Sequence, residues 1–274
     1  MVSVAVLARG LGLRRRRGEA SRDCSFELAA GRVAALVGAN GAGKSTLLKV
    51  LAGLLRPAAG VVEVTGEVGF VAQEKPLYRS FTVAETLRFG RVANPGWDAD
   101  RADRLVEEAG LPREARVTRL SGGQRARLAV VVALARRPDV LLLDEPLSEM
   151  DPVARQETLR AIMVAVAETG MTVVLSSPVM GELEGVCDHL LLLDDGAVRL
   201  ACDVETLLAD HRIVVAPLGA DFGAHRVVET REGERQVTAM LRVTPGLDLP
   251  AGLVSEPSLD EVVVAHLRRA GVAA

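Results

Sequence analysis

The run Gly38-Ala39-Asn40-Gly41-Ala42-Gly43-Lys44-Ser45-Thr46 has the spacing G-x-x-x-x-G-K-[ST]. Glycines so placed let successive main-chain N–H groups close around phosphate oxygens, and a helix beginning at the lysine adds the positive end of its dipole. In such a loop Lys44 reaches the β- and γ-phosphates as a point charge, and the Ser45 hydroxyl ligates Mg2+. The chain has only three lysines, Lys44, Lys49 and Lys75, among 33 basic residues. One of the few therefore stands where arginine would not serve. An isolated glycine turn is a structural loop, but one between a strand and a helix is a nucleoside triphosphate site.

Two further groups belong with it. Leu141-Leu142-Leu143-Asp144-Glu145-Pro146 is an apolar strand end followed by two carboxylates. Asp144 is placed to hold Mg2+ through water, and Glu145 to polarise an attacking water as general base. Leu120-Ser121-Gly122-Gly123-Gln124 precedes a helix and ends 20 residues before Asp144. There Ser121 reads as the N-cap, with the Gly122 and Gly123 N–H groups at the positive helix end.

These groups need strands and helices to hold them. Val33–Val37 reads as a buried strand leading into the glycine loop and a helix to about Leu55, ended by Pro57 and Gly60. Val61–Val64 and Val68–Val71 read as a hairpin around Thr65-Gly66. Residues 75 to 137 are mostly helical, with breaks at Pro95-Gly96, Gly110–Pro112 and Ser121–Gly123. Val140–Leu143 and Thr172–Leu175 are buried strands flanking an amphipathic helix from Pro152 to about Thr169, and Leu190–Leu193 forms a hairpin with Ala197–Leu200 around Asp195-Gly196. The alternation of strand and helix predicts an α/β layer fold. Past about Asp210 the texture changes to short strands and a closing helix near residues 259–269, whose Leu259, Val262, Val263 and His266 share one packing face.

Composition bounds the partners. The 274 residues allow one or two domains, and 49% hydrophobic with 25% charged residues describes a folded chain. A net charge of −3 gives no global field toward nucleic acid or an anionic membrane. Trp97 and Tyr78 are too sparse for a nucleic-acid stacking platform. The longest apolar run, Leu128–Ala135, falls far short of the roughly 20 residues of a membrane span. No signal peptide is read at the N-terminus. Three cysteines, Cys24, Cys187 and Cys202, suggest a reducing cytoplasm and no disulfide framework.

The order of phosphate loop, LSGGQ and LLLDEP resembles the ATP-binding cassette (ABC) family over residues 1 to about 209. The resemblance implies a P-loop NTPase of α/β class: a mixed sheet core, an antiparallel β subdomain and a helical subdomain at about 75–137. Residues 210–274 would be a small α+β accessory domain. ATP and Mg2+ are the implied cofactors. In this family two cassettes pair head to tail, so Gly38, Asn40, Gly41, Ala42, Gly43, Lys44, Ser45 and Thr46 would cradle ATP opposite the partner's Ser121, Gly122, Gly123 and Gln124. Glu145, Gln73 and Lys44 are the implied catalytic residues, and Ser45, Gln73 and Asp144 the Mg2+ ligands. Asp151 sits where the family's aspartate loop faces the opposite phosphate loop. The stretch from Lys75 to about Arg116 matches the part that grips a transmembrane permease.

Two positions depart from the family. Proline, Pro178, follows Ser176-Ser177 where the family has a switch histidine, which leaves two readings: slow hydrolysis, or a heterodimer whose partner completes the site. The family's base-stacking aromatic falls at or near Arg15, which either stacks on adenine through its flat face, or belongs with Arg14, Arg16 and Arg17 to a solvated tip or a tip that meets lipid phosphates. The resemblance as a whole implies an ATPase subunit on the inner face of the membrane that powers a separate permease, of exporter type, in a homo- or heterodimer. A regulatory switch with little turnover is the alternative. A soluble cassette acting on nucleic acid is disfavoured, because 100 residues between Lys44 and Asp144 leave no room for a long coiled-coil insertion.

Overall fold

The computed structural model describes residues 3–14, 20–177, 181, 183–250 and 252–272. β1 (Val4–Arg14) and β2 (Ala20–Ala29) pair antiparallel. β3 (Val33–Val37) follows, buried at every position, and runs through the glycine loop into α1 (Lys44–Leu51). β4 (Ala59–Val64) returns to the free edge of β1, giving the antiparallel sheet β2-β1-β4. β5 (Val68–Val71) leaves that sheet.

The remaining cassette strands are β6 (Val140–Leu143), β7 (Thr172–Ser176), β8 (His189–Asp194) and β9 (Ala197–Asp203). Together they form the sheet β5-β6-β7-β3-β8-β9, parallel from β5 to β8 and antiparallel only at β8/β9. β3, β6 and Val173–Leu175 within β7 are apolar without alternation because both sheet faces are covered. The hairpin expected around Thr65-Gly66 is not formed. β4 pairs with β1 while β5 pairs in parallel with β6, so the turn carries the chain from one sheet to the other. The first helix also stops at Leu51, short of the expected Leu55.

The helical part contains α2 (Val83–Ala93), α3 (Ala99–Glu108) and α4 (Gly122–Ala135). Thr82 with Glu85, and Ser121 with Gln124, form reciprocal capping boxes that satisfy the first N–H groups of α2 and α4. α5 (Pro152–Thr169) joins β6 to β7, starting at the Asp151 cap with proline in its first turn.

After α6 (Val204–Ala209) comes a four-stranded antiparallel sheet of β10 (His211–Pro217), β11 (Arg226–Glu232), β12 (Gln236–Arg242) and β13 (Leu253–Ser255), in the order β11-β12-β10-β13. α7 (Leu259–Val272) closes it. Leu259, Val262 and Val263 are buried, as their spacing predicts, in one cluster with Leu183, Cys187, Leu190 and Leu192 of the cassette. His266 sits at the rim of that face, its Nε2 3.2 Å from Nε2 of buried His211, whose Nδ1 meets the Leu207 carbonyl at 2.7 Å.

Candidate functional site

Strand register gathers the chemistry at one edge. Val71 pairs with Leu143, Leu143 with Leu175, and Leu36 with Ser176. The residues just beyond these strand ends, Gln73, Asp144, Glu145 and Gly38, therefore lie together at the carboxyl ends of the parallel strands, where such sheets bind ligands.

The glycine loop leaves β3 in a conformation few side chains tolerate. Gly38 has φ 153, and a Cβ there would stand 2.0 Å from the Leu193 carbonyl oxygen; Gly43, with φ 106, is the residue before α1. The loop is held by Ala42 N–H to the Ala39 carbonyl at 3.1 Å and by Gly196 N–H to the Ala42 carbonyl at 2.8 Å. Lys44 is 6% exposed and folds back over the loop, donating to the carbonyls of Gly38 at 2.8 Å and Ala39 at 3.3 Å. Burial lowers its pKa from the ordinary lysine value, against the opposing pull of Glu145 and Asp144. Ser45 and Thr46 follow in the first turn of α1, both half-buried.

Asp144 is 1% exposed, and its Oδ1 accepts from Ser176 Oγ at 3.1 Å. That hydroxyl in turn accepts the Glu145 N–H at 2.9 Å. Glu145 turns the chain at φ 45, a left-handed conformation uncommon outside glycine. Its carboxylate accepts from Gln73 Nε2 at 3.1 Å, across 72 residues of sequence. Ser148 Oγ donates to the Glu145 carbonyl at 3.0 Å and fixes the turn. Lys44, Asp144, Glu145 and Gln73 are thus brought together, and Ser176 joins them. Ser176 was not among the residues singled out from sequence; the signal available was a polar side chain closing an otherwise apolar strand.

The Ser121–Gln124 segment lies on the other side of the Glu145–Asp151 turn. Ser121 Oγ accepts the Gln124 N–H at 3.1 Å, and the Gln124 side-chain carbonyl accepts the Ser121 N–H at 2.9 Å. Ser121 is exposed and Gly122 and Gly123 are half-buried, leaving the end of α4 facing outward. Asp151 Oδ1 accepts from the N–H groups of Val153 and Ala154, both at 3.0 Å. The Ala154 bond is the chief cause of that carboxyl's lowered pKa. Arg15 and Pro178 lie outside the described residues.

As a donor set, the buried Asp144 carboxylate, the Ser45 hydroxyl and the Gln73 amide oxygen are hard oxygen ligands. They suit Mg2+, which takes one or two protein ligands and leaves the rest to water and substrate phosphate.

Comparison with known proteins bears on the family and the fold. The family model described as ABC transporter matches residues 21–148. A Nod factor export ATP-binding protein I from Ralstonia nicotianae is 36% identical over 249 residues, covering 82% of this chain and 76% of that protein. A thiamine import ATP-binding protein from Jannaschia sp. is 32% identical over 221 residues, covering 75% of this chain and 96% of that protein. Among solved structures, a dimeric ATP-binding cassette in a post-hydrolysis state bound to ADP and Pi matches in fold with a TM-score of 0.64 at 23% identity, covering 73% of this chain and 98% of that one. The phosphate loop, the carboxylate turn and the capped LSGGQ helix stand on a sheet of the matching architecture, and the chain belongs to the ABC transporter family as an ATP-binding ATPase subunit.

Proposed function

We propose that this chain binds Mg-ATP between its own residues 38–46 and the Ser121–Gln124 segment of a second cassette, and that hydrolysis there drives a separate membrane permease. The observation that carries the reading is the convergence of Lys44, Asp144, Glu145 and Gln73 at one sheet edge, with an outward-facing capped helix beside it. Lys44 donates to loop carbonyls, and a phosphate would take their place as its partner. Glu145, aimed by Gln73 and the Ser176 bond to its N–H, takes the proton of the attacking water. The Gly122 and Gly123 N–H groups and the α4 dipole favour the γ-phosphate of the facing site. Asp144, Ser45 and Gln73 would hold the Mg2+, which would supply charge neutralisation at the phosphates.

An exposed aromatic patch supports docking to a permease. Tyr78, Phe81 and Phe89 meet in tilted and edge-on pairs with ring centroids 5.0, 5.1 and 6.1 Å apart, and Val92, three residues after Phe89 in α2, is 83% exposed. Tyr78 and Phe89 are exposed and Phe81 is half-buried, and clustered rings left partly in water mark an interaction site. No helix among the described residues is long and apolar enough to cross a membrane. Export is the direction we infer, supported by higher identity to the Nod factor export subunit than to the thiamine import subunit.

The test is single-turnover Mg-ATP hydrolysis by the purified chain with Glu145→Gln and Pro178→His alongside. Glu145→Gln should keep ATP binding and lose about 10²–10⁴-fold in rate. A rate insensitive to Glu145→Gln overturns the catalytic assignment. Pro178→His should raise a slow wild-type rate, and a brisk wild-type rate that the histidine leaves unchanged removes the case for a weakened switch. Inverted vesicles carrying the whole transporter then separate export from import.

A further inference from the structure

Glu149 lies between two nucleotide-facing residues of one turn, four after Glu145 and two before Asp151. Its carboxylate is shared by three segments. Oε1 is 3.1 Å from Nζ of Lys75, and Oε2 is 3.8 Å from the Arg125 guanidinium. The same Oε2 covers Gly122 so closely that a Cβ there would come within 2.4 Å of it, and the Glu149 carbonyl would lie 3.2 Å from a Cβ on Gly123. Lys75 stands two residues beyond Gln73, and Gly122 to Arg125 is the first turn of α4.

The Lys75 arm is the shorter one. It is a charge contact in which the buried Nζ has no hydrogen-bond partner among the described residues and the Glu149 carboxylate is the charge beside it. The Lys75 side chain is 4% exposed, and its backbone sits at φ 48. A buried ammonium in a disfavoured backbone conformation persists only where a partner compensates its lost hydration. The Arg125 arm, longer and with both side chains well exposed, adds little by itself. The absence of a side chain at Gly122 is what lets the carboxylate reach both cations.

We propose that Glu149 is a positioning residue for hydrolysis. Through Lys75 and the first turn of α4 it ties the Gln73 segment and the Ser121–Gln124 helix end to the Glu145–Asp151 turn. The groups a subunit gives to its own nucleotide and those it offers to the facing nucleotide then move as one piece. The inference rests on the two-cassette reading above and adds to it the element that links the two half-sites within one subunit.

The decisive variant is the double substitution Lys75→Met/Glu149→Gln, which removes both charges at similar volume and avoids the stranded ammonium of Glu149→Gln alone. ATP affinity of the isolated chain is measured by titration, and kcat and KM on the transporter assembled with its permease. The expected result is affinity and KM within about twofold of wild type and kcat lower by about tenfold. Glu149→Gln and Lys75→Met, where they fold, should each match the double variant without adding to it. A kcat within about twofold of wild type overturns the proposal, and so does a parallel loss of affinity, KM and melting temperature, which is general damage. Failure of the wild-type chain to bind ATP in the same titration is a separate result and overturns the proposed function itself.

Discussion

Ser176 Oγ stands 3.1 Å from Oδ1 of Asp144, a residue 32 positions earlier, and holds the Glu145 N–H at 2.9 Å with the same oxygen. One buried hydroxyl thus aims both carboxylate residues of the site. Ser176→Ala would leave an N–H and a carboxylate oxygen short of a partner, costing about 1–3 kcal/mol. The expected outcome is a melting temperature lower by roughly 2–4 °C per kcal/mol together with slower hydrolysis. Unchanged single-turnover rates in Ser176→Ala would show that Asp144 and Glu145 are aimed by other contacts.

Lys44 carries a pH signature. Its folded pKa is depressed below the unfolded value of 10.5, chiefly by burial. The stability linked to this group is therefore complete above 10.5 and is lost as pH falls through the lowered folded value. Lys44→Met has no such dependence. Melting of the two ATP-free proteins between neutral pH and about pH 10 should show wild type gaining on the variant as pH rises. ATP binding by Lys44→Met should weaken by about tenfold to a hundredfold. A stability difference flat in pH would contradict the burial of this charge.

Asp151 gives the opposite end of the scale. Its carboxyl is held below the ordinary value of 3.8 by the Ala154 N–H first and the Val153 N–H as well. The cap's contribution is full above pH 3.8 and is lost as the pH falls through the lowered folded value. Urea unfolding of Asp151→Ala should show a loss of stability near neutrality that shrinks in acid. An equal loss at every pH would mean that charge plays no part in capping α5.

Cys187 is buried, and burial pushes its thiol up to about 12, with Asp188 adding to the shift. Thiolate is the reactive form, so iodoacetamide at pH 8 should leave the Cys187 peptide unmodified in the folded chain and label it fully in urea. Fast labelling of that peptide under native conditions would show that the face beneath α7 opens readily.

Much of this site was legible in sequence because its parts are local. An apolar run, a glycine loop and a lysine at a helix start determine one another within a dozen residues, and β3, the loop and α1 follow that expectation. Ser121 and Gln124 likewise meet within a single turn. The hairpin read at Thr65-Gly66 failed for the converse reason. Turn chemistry marks a reversal but does not choose strand partners, and here β1 and β6, both distant in sequence, take the two strands. The Gln73–Glu145 bond was foreshadowed only as two separate family positions, since it spans 72 residues. The Lys75–Glu149 pair was not foreseen at all, because no local period announces a contact across 74 positions.

The helix α7 has a consequence for how the chain is made. Leu259, Val262 and Val263 share one buried cluster with Leu183, Cys187, Leu190 and Leu192, yet Leu259 is translated 76 residues after Leu183. At about 5–20 residues per second that interval lasts roughly 4–15 s. For those seconds a nascent cassette shows the ribosome-side solvent an apolar flank that its own later sequence will close. A premature stop before Leu259 would make that exposure permanent, and the product would be a substrate for chaperones and proteases even though every nucleotide-site residue named above had already been synthesised.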